Sequence, residues 1–232
     1  AAGLALAQAW QQADDALQRW LDDQLDVCLA WSEPLLARRL SCLLPAGLPL
    51  MLANSSPVRD WESFADPSGP GRPLFGFRGA SGIDGTLSEA CGLAEALGSC
   101  VLLSGDLALL HDSNGWLWRS QLRGRLTVVL IDNGGGGIFE QLPIRCDDPA
   151  AEAAPLDFER LFAMPQAVDP LALAAAHGVP GRRVMAPADL PQALEWALAQ
   201  PLSLLVVVTD RRRDAALRCR LRTMAAQDPV SG

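Results

Sequence analysis

The 232-residue chain contains no lysine and no tyrosine, and only two histidines. All 19 of its basic residues are arginine. The missing lysine excludes Schiff-base chemistry and a Walker-type phosphate lysine within this chain. No apolar run approaches the roughly 20 residues that a membrane-spanning helix needs. The longest, Leu202 to Val208 with a Ser inside, suits a buried strand. The six cysteines form no CxxC pair, and several lie inside apolar runs. Metal and disulfide frameworks use tighter spacing, so buried thiols of a cytoplasmic protein are expected. The start, AAGLALAQAW, lacks an initiator Met, a basic end and a small-residue cleavage site. It reads as a boundary inside a longer protein. Finally, positive charge is in deficit: 27 acidic residues leave a formal net charge of −8. That balance argues against nucleic acid and anionic membrane as main partners.

Half of the residues are hydrophobic, enough for one sizeable core or a domain with an appendage. Residues 4 to 44 read as helical. Leu17, Trp20, Leu21, Leu25 and Cys28 recur at steps of three and four and form one apolar stripe. Ser32, Glu33 and Pro34 open a second helix, with Pro at a permitted early position. Trp10, Trp20 and Trp31 are read as packing residues. This segment, 1–44, is taken as a helical lead-in from a preceding domain, and 45–232 as the α/β domain.

From Pro49 onward, short apolar runs alternate with helical stretches. The runs are 48–53, 73–77, 100–104, 126–131, 183–186 and 202–209; the helical stretches are 87–97, 114–121, 170–177, 187–199 and 210–224. This predicts a three-layer α/β sandwich, with about six mostly parallel strands and helices on both faces. Residues 145–170 break the alternation and read as a long excursion, helical or a lid. In such sheets ligands bind outside the carboxyl ends of the strands, so chemistry is sought in the following loops.

Two of those loops stand out. The run ending at Ser104 is followed by Gly105-Asp106, which sets a carboxylate at the ligand edge. The next run ends in Asp132-Asn133, followed by Gly134, Gly135, Gly136 and Gly137. Such a glycine run lets backbone amides and carbonyls approach a phosphate or metal closely. Asp106 and Asn133 lie one strand–helix–strand unit apart, so a crossover makes their loops neighbours. A carboxylate, an amide oxygen and a backbone carbonyl suit magnesium shared with a diphosphate. The competing reading makes Asp106 a helix cap and the glycine run a flexible loop. A third loop, Arg78-Gly79-Ala80-Ser81-Gly82-Ile83-Asp84-Gly85, precedes a helix and offers its amides at a helix N-terminus.

Gly105-Asp106 through Asn133 resembles the metal and diphosphate motif of the thiamine-diphosphate enzymes. It departs at Leu107, where most members have Gly, and at Asp132, where many have Asn. With the RGASGIDG stretch and Gly136-Gly137-Ile138-Phe139, the chain is similar to one branch of that family. That branch is the 2-succinyl-5-enolpyruvyl-6-hydroxy-3-cyclohexene-1-carboxylate synthases of menaquinone and phylloquinone biosynthesis. The likeness is close over residues 48–145 and weak elsewhere.

The resemblance implies a thiamine-diphosphate-binding fold, with thiamine diphosphate and Mg2+ (or Mn2+) as cofactors. It places Asp106, Asn133 and the carbonyl of Gly135 on the metal. Gly105, Leu107 and Gly136 line the diphosphate, and Ser81 and Gly82 belong to the same cofactor site. Ile83 becomes the apolar wedge under the bent cofactor. Ile138, Phe139 and Leu142 become the wall over the reacting carbons, with core packing the alternative for Phe139. Ile83, Ile138 and Phe139 thus stand nearest the catalytic events. In this branch the substrates are 2-oxoglutarate and isochorismate, both dicarboxylates. Arg59 and Arg78 at strand ends are then carboxylate clamps, or else solvated surface residues. Ser55 matches a polar position near cofactor or adduct.

The family's activating Glu belongs to a separate pyrimidine-binding domain, usually of the partner subunit in a homodimer or homotetramer. No segment here resembles that domain, so the chain is expected to be a C-terminal diphosphate-binding domain, inactive alone. His111 reads as a partner of Asp112 in preference to a proton shuttle. The cluster Arg211-Arg212-Arg213 opens the last helix at the wrong end for its dipole, and is read as a contact to another domain or subunit. Two alternatives stand beside this reading: another thiamine-diphosphate enzyme of acetolactate synthase or 2-oxo acid decarboxylase type, and a non-catalytic nucleotide-binding module.

Overall fold

The computed structural model describes residues 2–27, 30–77, 79–145 and 157–226. Six parallel strands form one sheet in the order β2-β1-β3-β4-β6-β5. They are β1 (Leu50–Leu52), β2 (Leu74–Gly76), β3 (Ser99–Gly105), β4 (Arg125–Asp132), β5 (Gly181–Arg183) and β6 (Leu202–Val208). The helices are α1 (Ala2–Asp26), α2 (Glu33–Leu43), α3 (Ser56–Phe64), α4 (Thr86–Leu97), α5 (Asp106–His111), α6 (Pro170–Ala176), α7 (Leu190–Leu198) and α8 (Arg211–Ala226). The expected sandwich of parallel strands between helices is what forms.

Strand residues alternate between two cores because successive side chains leave a strand on opposite faces. Val101, Leu103, Val129, Ile131, Leu205 and Val207 pack with α1, α2, α3, α7 and α8. Cys100, Leu102, Val128, Leu130, Leu204 and Val206 pack with α4, α5 and α6. The centre of the sheet is therefore dry on both sides, which is why its strands read as unbroken apolar runs.

The residues assigned to the lead-in join this core. Leu35, Leu36 and Leu40 of α2 are fully buried against the sheet. Ser32 caps α2, its hydroxyl accepting from the Leu35 amide at 3.3 Å, and Pro34 occupies the first turn as predicted. Trp31 is buried and its indole donates to the carbonyl of Val184 at 3.0 Å. Trp10, by contrast, is 73% exposed and is not a packing residue among the described contacts. Its end of α1 extends past the part that Leu21 and Leu25 seal.

Other expectations shift. β5 lies at Gly181–Arg183, ahead of the predicted 183–186. All three of its residues are exposed at the sheet edge, so no apolar run marks it. The stretch expected as helix at 114–121 forms a 3-10 helix, Ser113–Ser120, whose tighter turn buries Trp116 and leaves Leu117 and Trp118 exposed. The short helix α3 escaped the sequence pattern, and α5 was foreseen only in the competing reading of Asp106 as a helix cap. Of the cysteines, Cys91 and Cys100 are buried, with thiols pushed up to about 11 and about 12 by burial, but Cys42 and Cys219 are exposed. Among the described residues, no helix is long and apolar enough to cross a membrane.

Candidate functional site at the switch point of the sheet

The chain leaves β1 for β2 on one side and returns to β3 on the other, so the strand order reverses between β1 and β3. A crevice must open there at the carboxyl ends, because the following loops run in opposite directions. A cavity of about 470 Å³ occupies this place. Asn54, Ser55 and Ser56 close it from β1, Asp106 and Leu107 from β3, and Asn133 with the glycine run from β4.

Asp106 starts α5 and uses both oxygens. Oδ1 accepts from its neighbour's amide, Leu107, at 2.7 Å, and Oδ2 accepts from the amide of Gly135 at 2.8 Å. The competing reading of Asp106 as a helix cap is not realised: Gly105 is the cap residue, and Asp106 Oδ1 meets only the next amide. The Asn133 carboxamide meets the same Gly135 amide through Oδ1 at 3.2 Å. Two side chains from adjacent parallel strands therefore aim oxygens at one point. Burial pushes the Asp106 carboxyl up to about 6, against the pull of the two amides, and the nearby Asp132 and Glu33 add to the rise.

Asp132, next to Asn133, does not line the cavity. It is half-buried, and burial raises its carboxyl above the ordinary value. The alternation of a strand explains the pair: if Asn133 faces the crevice, its neighbour faces elsewhere.

The glycines are required by close approach of protein backbone. Gly134 and Gly135 have φ of 79° and 119°. A Cβ on Gly135 would lie 2.0 Å from the carbonyl oxygen of Ala163. The Gly136 amide donates to that carbonyl at 2.6 Å. So the excursion around 145–170 returns as a π-helical turn, Glu159–Ala163, laid directly on the glycine loop. Residues 146–156 of that excursion lie outside the described residues. Gly135→Ala combines steric overlap with positive-φ strain, roughly 1–3 kcal/mol each. It is expected to lower the melting temperature and to free the 159–163 turn from the loop. Unchanged melting and unchanged proteolysis at 157–165 would contradict this.

Arg211 fastens the same loop. Nη1 donates to the carbonyl of Gly134 at 2.7 Å, Nε donates to Glu140 at 2.8 Å, and Nη2 pairs with Glu159. Arg212 also reaches Glu159, at 2.5 Å. These two arginines thus serve an internal clamp, unlike the expected contact to another domain or subunit. The opposed helix dipole is offset by two carboxylates brought from other segments.

The remaining predicted residues divide. Ser81, Gly82, Ile83, Gly105, Gly136, Ile138 and Phe139 line the same cavity. Phe139 also packs edge-on against Phe162 with ring centroids 5.5 Å apart, so wall and packing roles coincide. Ser55 lines the cavity in a strained conformation with φ 75°. Arg59 borders it too, but its guanidinium donates to the Ser55 carbonyl at 2.7 Å. Leu142 does not belong: it is 45% exposed and sits with Arg145, Cys219 and Arg222 on another surface hollow. The 3-10 turn Gly137–Gln141 carries the chain out of the crevice before Leu142. Arg78 lies outside the described residues. His111 is exposed and away from the cavity, and Asp112 instead accepts from the amide and hydroxyl of Ser88, at 2.6 and 3.0 Å.

Among the lining residues that escaped sequence reasoning, three are polar. Asn54 and Ser56 are buried, yet Asn54 Oδ1 and Ser56 Oγ have no hydrogen-bond partner. Buried orphans of this kind mark a place where a polar ligand group is expected. The third, Glu33, comes from α2. It is 1% exposed and accepts from Asn133 Nδ2 at 2.7 Å. The SEP start of α2 signalled a helix cap but nothing about a site.

A divalent cation with a diphosphate fits these groups. Among the described residues no three His, Cys, Asp or Glu side chains gather as metal ligands. A metal here would depend on one carboxylate, the Asn133 amide oxygen and a backbone carbonyl, leaving positions for ligand oxygens. That donor set is hard, oxygen-only and incomplete, as magnesium or manganese shared with phosphate requires.

Comparison with known proteins bears on the same region. Residues 67–208 match the family model described as thiamine pyrophosphate enzyme, C-terminal TPP binding domain. Over 219 residues the chain is 58% identical to the 2-succinyl-5-enolpyruvyl-6-hydroxy-3-cyclohexene-1-carboxylate synthase of Prochlorococcus marinus (strain MIT 9313), covering 94% of this chain and 37% of that protein. The protein of the same description from Synechococcus sp. (strain CC9902) is 57% identical over 97% of this chain and 38% of its own length. The chain thus spans somewhat over a third of the curated relatives it matches. Among solved structures, benzoylformate decarboxylase from Polynucleobacter necessarius superposes with TM-score 0.62 at 20% identity, over 79% of this chain and 34% of that one. A thiamine diphosphate-dependent 4-hydroxybenzoylformate decarboxylase from Rhodococcus jostii RHA1 gives 0.60 at 22%, over 79% and 33%. At these identities the superpositions speak to the fold alone.

Proposed function

The chain belongs to the C-terminal, thiamine-pyrophosphate-binding domains of thiamine pyrophosphate enzymes, and from that premise we propose that it anchors the diphosphate through a magnesium or manganese ion at Asp106, Asn133 and the Gly135 carbonyl. The observation that carries this is the meeting of the Asp106 and Asn133 oxygens at one amide, at the switch point of the sheet. The bound cofactor supplies the electron sink for cleaving carbon dioxide from a 2-oxo acid.

This chain's residues position and exclude. Ile83 supports the cofactor from one side of the cavity, and Ile138 with Phe139 keeps water from the reacting carbons. Ser55, with Asn54 and Ser56, supplies polar contacts, and Arg59 and Arg78 bind substrate carboxylates. Ser81, Gly82, Gly105, Leu107 and Gly136 border the diphosphate. In the whole protein the donor is 2-oxoglutarate and the acceptor isochorismate, a reading supported by relatives of 55–58% identity described as 2-succinyl-5-enolpyruvyl-6-hydroxy-3-cyclohexene-1-carboxylate synthases. The cation that would meet those carboxylates is arginine, the only strong base this chain contains. Cytoplasmic location and a homodimer or homotetramer sharing its sites complete the proposal. The chain alone is then inactive, because the group that activates the pyrimidine ring is supplied from outside it.

Two measurements test this. Thiamine diphosphate with magnesium is expected to raise the melting temperature of the chain, and NAD or FMN is not. The whole protein is expected to release carbon dioxide from 2-oxoglutarate in preference to pyruvate. Turnover by this chain alone, or stabilisation by thiamine diphosphate that ignores added metal, would overturn the corresponding part.

A further inference from the structure

Behind Asn133 stands a buried ionic chain that the proposed chemistry does not use. Glu33 Oε1 accepts from Asn133 Nδ2 at 2.7 Å, and its Oε2 accepts from Arg218 Nη2 at 2.7 Å. Arg218 in turn donates to both oxygens of Asp60, at 2.7 and 2.5 Å. Asp214 accepts from the backbone amide of Glu33 at 3.3 Å. Glu33, Asp60, Asp214 and Arg218 are each at most 3% exposed. They come from α2, α3 and α8 and are nowhere adjacent in sequence, apart from Asp214 and Arg218 one turn apart on α8.

From this we infer that Glu33 is a positioning residue which fixes the Asn133 carboxamide with its oxygen toward Asp106 and Gly135. The inference rests on the reading of Asn133 as a cation ligand. A carboxamide has one accepting and one donating end, and turning it over exchanges them. Both Glu33 oxygens accept, one from Arg218 and one from Asn133, so Glu33 faces the NH2 end of the carboxamide. The Gly135 N–H can only donate, so it must face the oxygen. The two constraints agree on one orientation, and each is set by chemistry. Were the amide turned over, the cavity would present an NH2 group where a cation needs an oxygen. Arg218 holds Glu33 in this task by occupying its second oxygen, and Asp60 holds Arg218.

Glu33→Gln exposes the device. Arg218 and Asn133 each require an acceptor, and a Gln offers only one. The arginine, charged and buried, takes the oxygen. The Gln NH2 then faces Asn133 and turns its carboxamide over. Substitutions one shell behind a metal typically cost about 10–100-fold in metal affinity, and a loss in that range is expected here. Adding Asn133→Asp should restore binding, because a carboxylate accepts from the Gln and still shows an oxygen to the cavity. A role limited to holding α2 in place predicts no such rescue.

The experiment titrates Mn2+ by electron paramagnetic resonance into the protein mixed with thiamine diphosphate, against the same titration of the cofactor alone. It compares wild type, E33Q and E33Q/N133D, with circular dichroism on each. Weakened binding in E33Q and recovery in the double variant support the inference. Unchanged affinity in a folded E33Q, or absence of recovery in a folded double variant, overturns it. No Mn2+ binding by wild type would instead refute the cation reading itself. If E33Q does not fold, hydrogen exchange of the Asn133 side-chain amide in the wild type decides: protected NH2 protons support the pairing, and exchange at the free rate overturns it.

Discussion

Asp106→Asn is expected to leave the sheet folded and to abolish magnesium-dependent binding of thiamine diphosphate, a loss of at least about 100-fold, since on the proposed reading Asp106 is a direct ligand and should matter more than an outer residue. The substitution is nearly isosteric. Its oxygen can still accept from Leu107, but its NH2 then opposes the Gly135 amide, donor against donor. Folding should suffer little. Burial already pushes the Asp106 carboxyl up to about 6, so its charge is a cost that the neutral side chain removes. The pH dependence follows with a definite sign. A cation needs the ionised carboxylate, so metal affinity in the wild type should fall as pH drops through about 6. The Asn variant should lack that step. Calorimetric titration of magnesium into the thiamine diphosphate mixture between pH 5 and 8 reads both. Wild-type affinity in D106N, or an affinity flat across that range in the wild type, would remove Asp106 from the metal.

The other large effect lies behind the site. Arg218→Met leaves Glu33, Asp60 and Asp214 as buried carboxylates without their cation. Removing one partner of a buried ion pair costs about 3–5 kcal/mol. For a chain of this size that corresponds to a fall of roughly 6–20 °C in melting temperature. The loss should depend on pH. Burial already pushes the Asp60 and Asp214 carboxyls up to about 7, and Arg218 pulls both down. Without Arg218 they rise further and can take up protons in mild acid, so the variant should lose less at pH 5.5 than at pH 8. In the wild type the same raised carboxyls contribute stability that is complete below the unfolded value near 3.8 and is lost as pH rises through about 7. Thermal melts at the two pH values measure this. A variant equally destabilised at both, or not destabilised at all, would contradict the account.

These two predictions concern residues of unequal visibility in the sequence. Asp106 was legible because it follows an apolar run and a glycine, and because its partner Asn133 follows the next run. Both signals are local. Arg218 sits in an arginine-rich helix among other arginines and carries no mark of its own. Nothing in Arg-Cys-Arg-Leu-Arg distinguishes the buried cation from Arg220 or Arg222 beside it. Only the packing of α8 against α2 and α3 selects it. Glu33 was read as part of a helix start, which it is, and the contact to Asn133 spans 100 positions. Leu142 and Arg211 were misplaced for related reasons. A 3-10 turn too short to leave a pattern directs Leu142 outward, and the carboxylates that claim Arg211 are distant in sequence.

By itself, then, the sequence determined the parallel sheet, the helices on its two faces and the loops that meet at the candidate site. Those features follow from apolar periodicity, glycine and short-range order, all of which are written along the chain. Tertiary structure alone decided which way the Asn133 amide points, what the glycine loop rests against, and that a helix assigned to the lead-in supplies a carboxylate to the site. Each of those depends on a charge or a backbone segment brought from far away, and burial is what gives such meetings their energetic weight.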